Sequence, residues 1–214
     1  MNHSPVESSP EVLIVSGHAE AYARLMCEQN TRGIPFTACK EPADALSCYR
    51  GQAVVLGEPG RVAQVIDQMP GVRWVQSTWA GVKPLLDLGR RPWALTGIKG
   101  IFGEQMSEYV CGQLLAHELR LLERYGHQQK RTWFDDDSGS LRGKTAGIMG
   151  TGSIGSHIAE TLRKFGVRTR GLNRHGRAST SFDRTCSIER LAGFLKGLDY
   201  LVAVLPETAS TKIS

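Results

Sequence analysis

Thr145-Ala-Gly-Ile-Met-Gly-Thr-Gly-Ser-Ile-Gly155 is the stretch that decides the fold. It opens with a strand-sized apolar run, Thr145–Met149. A helix pattern then runs over Ile154–Phe165 and is stopped by Gly166. Gly150, Gly152 and Gly155 stand at G-x-G-x-x-G spacing at the junction. Each has a distinct physical task there. Gly150 allows a tight turn, Gly152 lets a pyrophosphate approach the backbone, and Gly155 lets the helix lie close on the strand. The helix N-terminus then offers unpaired N–H groups and the positive end of its dipole to the phosphates. An ordinary strand–helix turn is the alternative. The motif's place after a strand and at the start of a βαβ unit favours a dinucleotide.

The position about 20 residues further on distinguishes the nucleotides, because an Asp or Glu there binds the ribose 2′-hydroxyl of NAD. Asn173 stands in that place, followed by Arg174, His175 and Arg177. A carboxylate would repel a 2′-phosphate, whereas an amide beside guanidinium groups binds one through charge-assisted hydrogen bonds. NADP is therefore the expected cofactor, with NAD as the alternative. The surrounding segment 163–190 carries eight basic side chains against two acidic ones, more than the whole chain's net +5. Such a surplus also suits nucleic acid. Its clustering around the ribose position, with no recognition motif beside it, argues for a phosphate on a small ligand.

The 214 residues are long for one α/β domain and short for two complete ones. The hydrophobic share of 41% and charged share of 22% exclude a disordered or fibrous chain. No apolar run approaches a membrane span. Residues 1–10 read as a disordered leader without a secretory h-region. Cys27, Cys39, Cys48, Cys111 and Cys186 are scattered and include no C-x-x-C pair. They argue against a disulfide framework and against a metal site, and a cytoplasmic setting fits.

The first hundred residues alternate strands and helices. Strands are expected at Glu11–Ser16, Pro35–Cys39, Ala53–Gly57, Arg73–Ser77 and Ala94–Gly97, with helical patterns at Ala19–Gln29 and around Val62–Met69. Continuous apolar strands separated by helices indicate a parallel sheet covered on both faces. A long amphipathic helix is expected over residues 104–126. Its broad stripe of Met106, Val110, Leu114, Leu121 and Tyr125, widened by Leu115, Leu119 and Leu122, suggests burial on more than one side. A second alternation follows Thr145–Met149, with strands at Val167–Leu172 and Asp199–Leu205 and a helix at Ile188–Leu195, giving βαβαβ.

Four segments carry a family resemblance: Ser77–Val82, Ile101–Val110, Gly143–Gly155 and Leu198–Thr208. In this order and spacing the chain resembles the D-isomer-specific 2-hydroxyacid dehydrogenases, and within them the glyoxylate/hydroxypyruvate reductase branch. The resemblance implies a flavodoxin-like parallel-sheet substrate domain over 11–103. A truncated Rossmann, doubly wound dinucleotide-binding domain would follow over 104–214, beginning with the interdomain helix. It also implies roles. Ala80 and Gly81 would offer N–H groups to the carboxylate of a small 2-oxo or 2-hydroxy acid. Ser153 and Ile154 would meet the pyrophosphate, and Leu205 and Pro206 would pack along the adenosine and nicotinamide riboside. The family loop often continues Gly-Val-Asp, but here it reads Gly81-Val82-Lys83.

The family transfers hydride between nicotinamide C4 and substrate C2, using an arginine, an acidic residue and a histidine that lie after the third Rossmann strand. None of the 214 residues matches those three, so no catalytic residue is assigned, and the chain is expected to be inactive alone. His3, His117, His127 and His157 read as leader, surface or packing residues. A homodimer formed through the region of the long helix is implied, with neither nucleic acid nor membrane as partner. A non-catalytic nucleotide-binding regulatory or interaction module is the alternative function.

Overall fold

The computed structural model describes residues 11–29, 32–89, 91–206 and 211. The leader expected at 1–10 lies outside them. The described chain forms two compact units, one up to Ile98 and the other Lys99–Pro206.

In the first unit five parallel strands alternate with helices. They are β1 (Val12–Val15), β2 (Phe36–Cys39), β3 (Val54–Gly57), β4 (Trp74–Ser77) and β5 (Ala94–Thr96). The helices are α1 (Ala19–Gln29), α2 (Pro42–Cys48), α3 (Pro59–Ala63) and α4 (Lys83–Leu86). The strand order is β2-β1-β3-β4-β5, a flavodoxin-like order that reverses direction between β1 and β3. Leu13, Val15, Val55 and Val75 of the central strands are fully buried against Val62, Met69 and Leu85. The pattern expected around Val62–Met69 divides into α3 and a single 3₁₀ turn, Ile66–Gln68.

The second unit begins with α5 (Gly103–Glu118) and α6 (Leu121–Gln129). One continuous helix over 104–126 was the expectation, and the structure corrects it. Arg120 adopts left-handed φ,ψ of 52° and 42° and separates the two helices. The carbonyls freed at the break are taken up elsewhere. Gly139 N donates to Glu118 O at 2.7 Å and Arg124 Nε to Leu119 O at 2.9 Å. Arg120 itself pairs with Glu123 and Asp136. The break also alters the expected burial. Met106, Val110, Leu114 and Leu115 join the unit's core, whereas Tyr109, Leu119, Leu121, Leu122 and Tyr125 are exposed.

The sheet of this unit comprises β6 (Thr145–Met149), β7 (Arg168–Asn173), β8 (Arg184–Ser187) and β9 (Tyr200–Ala203), all parallel. Helix α7 (Ser153–Lys164) connects β6 to β7, and a 3₁₀ turn (Ile188–Arg190) with α8 (Leu191–Leu195) precedes β9. The order β8-β7-β6-β9 corresponds to 3-2-1-4, the first four places of a dinucleotide-binding sheet. Strand β8 was not among the expected elements. Its sequence, Arg184-Thr-Cys-Ser187, has no apolar run. The β7–β8 connection contains no helix, so the βαβαβ pattern passes over it. Ala146, Ile148, Ile158, Ala159 and Leu162 form the centre of the core, with α5 packed against α7. Among the described residues, no helix is long and apolar enough to cross a membrane.

Candidate functional site

The glycine loop lies between β6 and α7. Gly150 has φ of 106°, a conformation that disfavours any side chain. Its N–H donates to Leu172 O of β7 at 2.9 Å. Gly155 is buried beneath it, and a Cβ there would lie 1.9 Å from Gly150 O and 3.4 Å from Ile148 Cγ2. Gly152 is different: a Cβ at this position would meet nothing within 4 Å among the described residues. It is the N-cap of α7 and provides no side-chain cap. The first intrahelical bond is Ser156 N to Gly152 O, 2.9 Å, so the N–H groups of Ser153, Ile154 and Gly155 precede the helical ladder. An exposed helix end with uncapped donors and no obstructing Cβ fits a pyrophosphate.

Two further segments border this loop. Val204 N donates to Met149 O at 2.9 Å, and a Cβ on Gly150 would lie 2.7 Å from Val204 O. Leu205 and Pro206 therefore follow β9 directly beside the glycine turn. Asn173 ends β7, and its side chain makes four hydrogen bonds. Oδ1 accepts from His175 N at 3.2 Å and Arg177 N at 3.0 Å. Nδ2 donates to Arg177 O at 2.9 Å and to Thr151 Oγ1 at 3.1 Å. This corrects the expectation that the amide itself binds a 2′-phosphate, because its donors and acceptor are already engaged in shaping the 173–177 turn. Arg174 and Arg177 are exposed on that turn. Among the described residues neither guanidinium has an ion-pair partner.

In the first unit, the loop after β4 is tied at its base. Ser77 Oγ donates to Trp79 O at 2.8 Å and accepts from Trp79 N at 2.9 Å, while Thr78 N donates to Gly57 O at 3.0 Å. Ala80 and Gly81 follow, exposed, and among the described residues their N–H groups make no hydrogen bond. Trp79 is exposed beside them. Lys83, where the family loop often has Asp, starts α4 and pairs with Asp87.

A polar group at the neighbouring strand ends had no sequence signal. Glu58, after β3, accepts from Ser16 Oγ at 2.8 Å, Gly17 N at 2.7 Å and Arg61 Nε at 3.2 Å. Burial works to raise the Glu58 carboxyl, but these bonds outweigh it and hold the group below its usual range. Ser16 and Glu58 meet where the strand order reverses, which is where ligands approach such sheets. Only the three-dimensional topology reveals that juxtaposition. Among the described residues, Thr78 Oγ1 is buried there without a hydrogen-bond partner.

His117, His127 and His157 make contacts within the second unit. His117 meets Tyr200 edge-on, His127 Nδ1 lies 3.0 Å from Thr132 Oγ1, and His157 packs beneath Gly103. Among the described residues, no cluster of His, Cys, Asp or Glu is arranged to hold a metal.

Comparison with known proteins adds four findings. Residues 111–213 match the family model described as D-isomer specific 2-hydroxyacid dehydrogenase, NAD binding domain. A solved D-isomer specific 2-hydroxyacid dehydrogenase family protein from Aeromonas salmonicida is 35% identical with a TM-score of 0.88, covering 95% of this chain and 66% of that one. The NADPH-dependent glyoxylate/hydroxypyruvate reductase of Sinorhizobium meliloti, solved with NADP and sulfate, is 25% identical with a TM-score of 0.79, covering 94% and 64%. Among curated proteins, glyoxylate/hydroxypyruvate reductase A of Serratia proteamaculans is 29% identical over 177 residues, 79% of this chain and 54% of that protein. The chain thus spans about half the length of that curated relative.

Proposed function

The chain belongs to the D-isomer specific 2-hydroxyacid dehydrogenase family, and on that premise we propose that the protein serves an NADPH-dependent reduction of a small 2-oxo acid of the glyoxylate or hydroxypyruvate kind. The observation that carries the reading is the pairing of an uncapped α7 N-terminus at Gly152 with a turn that displays Arg174 and Arg177. The first suits a pyrophosphate and the second a 2′-phosphate.

In this reading bound NADPH supplies the hydride. The N–H groups of Ser153 and Ile154 hold the pyrophosphate, and Arg174 holds the 2′-phosphate. Leu205 and Pro206 line the nucleoside. Ala80 and Gly81 fix the substrate carboxylate through their N–H groups, so that C2 is presented in one orientation. No residue of the 214 is assigned to polarise the carbonyl or deliver the proton. Turnover requires the arginine, acidic residue and histidine that the family carries after the strand corresponding to β9.

We further propose a homodimer through the α5–α6 region, where Leu122 is 84% exposed and Trp133 is 86% exposed. Apolar side chains this exposed mark association surfaces when they cluster. The free thiols of Cys27, Cys39, Cys48, Cys111 and Cys186 fit a reducing cytoplasm.

The substrate half of the proposal is tested by titrating ¹⁵N-labelled protein with glyoxylate or hydroxypyruvate. Amide shifts concentrated at Trp79, Ala80 and Gly81 support it. Saturable shifts that leave this loop untouched would overturn it.

A further inference from the structure

We propose that Thr151 is a specificity-positioning residue: acting through Asn173, it holds the 173–177 turn in the conformation that receives a 2′-phosphate. The inference rests on the NADPH reading above and deepens it. Thr151 is the first of the three unspecified positions in the glycine motif, and the G-x-G-x-x-G pattern assigns it nothing.

The geometry gives it a defined place. A Cβ on Gly171 would lie 2.7 Å from Thr151 Cγ2, so the threonine methyl sits directly over β7. Its hydroxyl accepts from Asn173 Nδ2 at 3.1 Å. Asn173 in turn brackets Arg177 from both sides, accepting from its N–H at 3.0 Å and donating to its carbonyl at 2.9 Å. Between them Gly176 takes φ of 66°, and a Cβ there would come within 3.1 Å of Ser187 N. The turn is therefore tied to the glycine loop by a hydrogen bond to Thr151 and lies close against the end of β8 at Gly176.

What the turn displays makes this tie consequential. Arg174 and Arg177 put two like charges on one short, exposed segment, without a carboxylate partner among the described residues. Two guanidinium groups separated by two residues repel each other unless an anion lies between them. Pre-ordering the turn reduces the conformational cost of bringing both to one phosphate. NADH, which has a hydroxyl at the same place, gains little from that order.

The experiment uses the full 214-residue chain with NADPH and NADH as probes, following nicotinamide fluorescence for wild type, Thr151→Val and Thr151→Ser. Valine keeps the shape over Gly171 and removes the acceptor, and serine restores it. The Kd for NADPH is expected to rise roughly 3- to 10-fold in Thr151→Val, as for loss of one net hydrogen bond. The Kd for NADH should change less than about twofold, and Thr151→Ser should recover the wild-type ratio. Equal weakening of both nucleotides in a folded Thr151→Val protein, or an unchanged ratio, overturns the positioning role while leaving the NADPH reading intact. If Thr151→Val does not fold, Thr151→Ser and Asn173→Ala decide it by the same ratio, with retention by serine and loss by alanine expected and the reverse contradicting it. A wild-type chain without preference for NADPH overturns both the reading and the inference.

Discussion

The Cα of Gly155 lies so close to Gly150 that a Cβ on it would approach the Gly150 carbonyl oxygen to 1.9 Å. Two forces of opposite sign act on Gly155→Ala. Alanine in a helix is favoured over glycine by about 1 kcal/mol. The clash is with backbone rather than a flexible side-chain end, so α7 must shift away from β6, at a cost of about 1–3 kcal/mol. The clash is expected to win. The thermal midpoint should fall by roughly 2–4 °C per kcal/mol lost, and NADPH binding should weaken at least about tenfold because the uncapped donors move with the helix. A variant with an unchanged midpoint and unchanged NADPH affinity would show that the interlock is dispensable.

Arg174→Ala should weaken NADPH selectively. Loss of a charge-assisted hydrogen bond is worth about 1.5–3 kcal/mol, or roughly tenfold or more in Kd. The effect should diminish in high salt, because the turn is exposed and its charges are screened. Paired titrations at low and high ionic strength check this, and equal losses for NADPH and NADH would count against the contact.

A pH dependence follows from Glu118 on α5. The Tyr200 hydroxyl donates to its carboxylate, Lys144 Nζ lies 3.2 Å away, and these hold the carboxyl below its usual range against the opposing effect of burial. The Tyr200 phenol is correspondingly raised, by burial and by that same bond. A carboxyl lowered in the folded state contributes stability that is fully present above the unfolded carboxylate pKa and is lost as pH falls through the folded value. The thermal midpoint of wild type should therefore hold down to about pH 5 and fall below about pH 4. Glu118→Gln should lower the midpoint at neutral pH and flatten the acid limb. An acid limb as steep as wild type would show that other carboxyls control it.

Leu122→Glu should shift the assembly toward monomer in sedimentation equilibrium, since a carboxylate at so exposed an apolar position cannot be buried against a second copy without cost. An unchanged mass, whether monomeric or dimeric, would remove α6 from the proposed interface.

The fold was legible where hydrophobic pattern and backbone requirement coincide. Val12–Val15 and Thr145–Met149 are apolar runs bounded by turn residues, and both are central strands. The glycine spacing placed the start of α7, because Gly150 and Gly155 answer to steric demands that glycine meets without strain or clash. Strand β8 was hidden because Arg184 and Thr185 owe their place to pairing with Arg170 and Gly171, a long-range relation with no local pattern. The break at Arg120 carries no glycine or proline signal. It is stabilised by partners such as Asp136 and Gly139 that lie beyond the helix. Asn173 shows the limit at the site. Its position was read from the spacing, but its engagement with Thr151 and Arg177 depends on how the turn closes.

In the proposed function the Asn173–Arg177 turn selects a 2′-phosphorylated nucleotide. Side-by-side titration of the wild-type chain with NADPH and NADH tests it most directly. NADPH is expected to bind at least about tenfold more tightly than NADH, as for one or more charge-assisted contacts. Equal or tighter binding of NADH would contradict it.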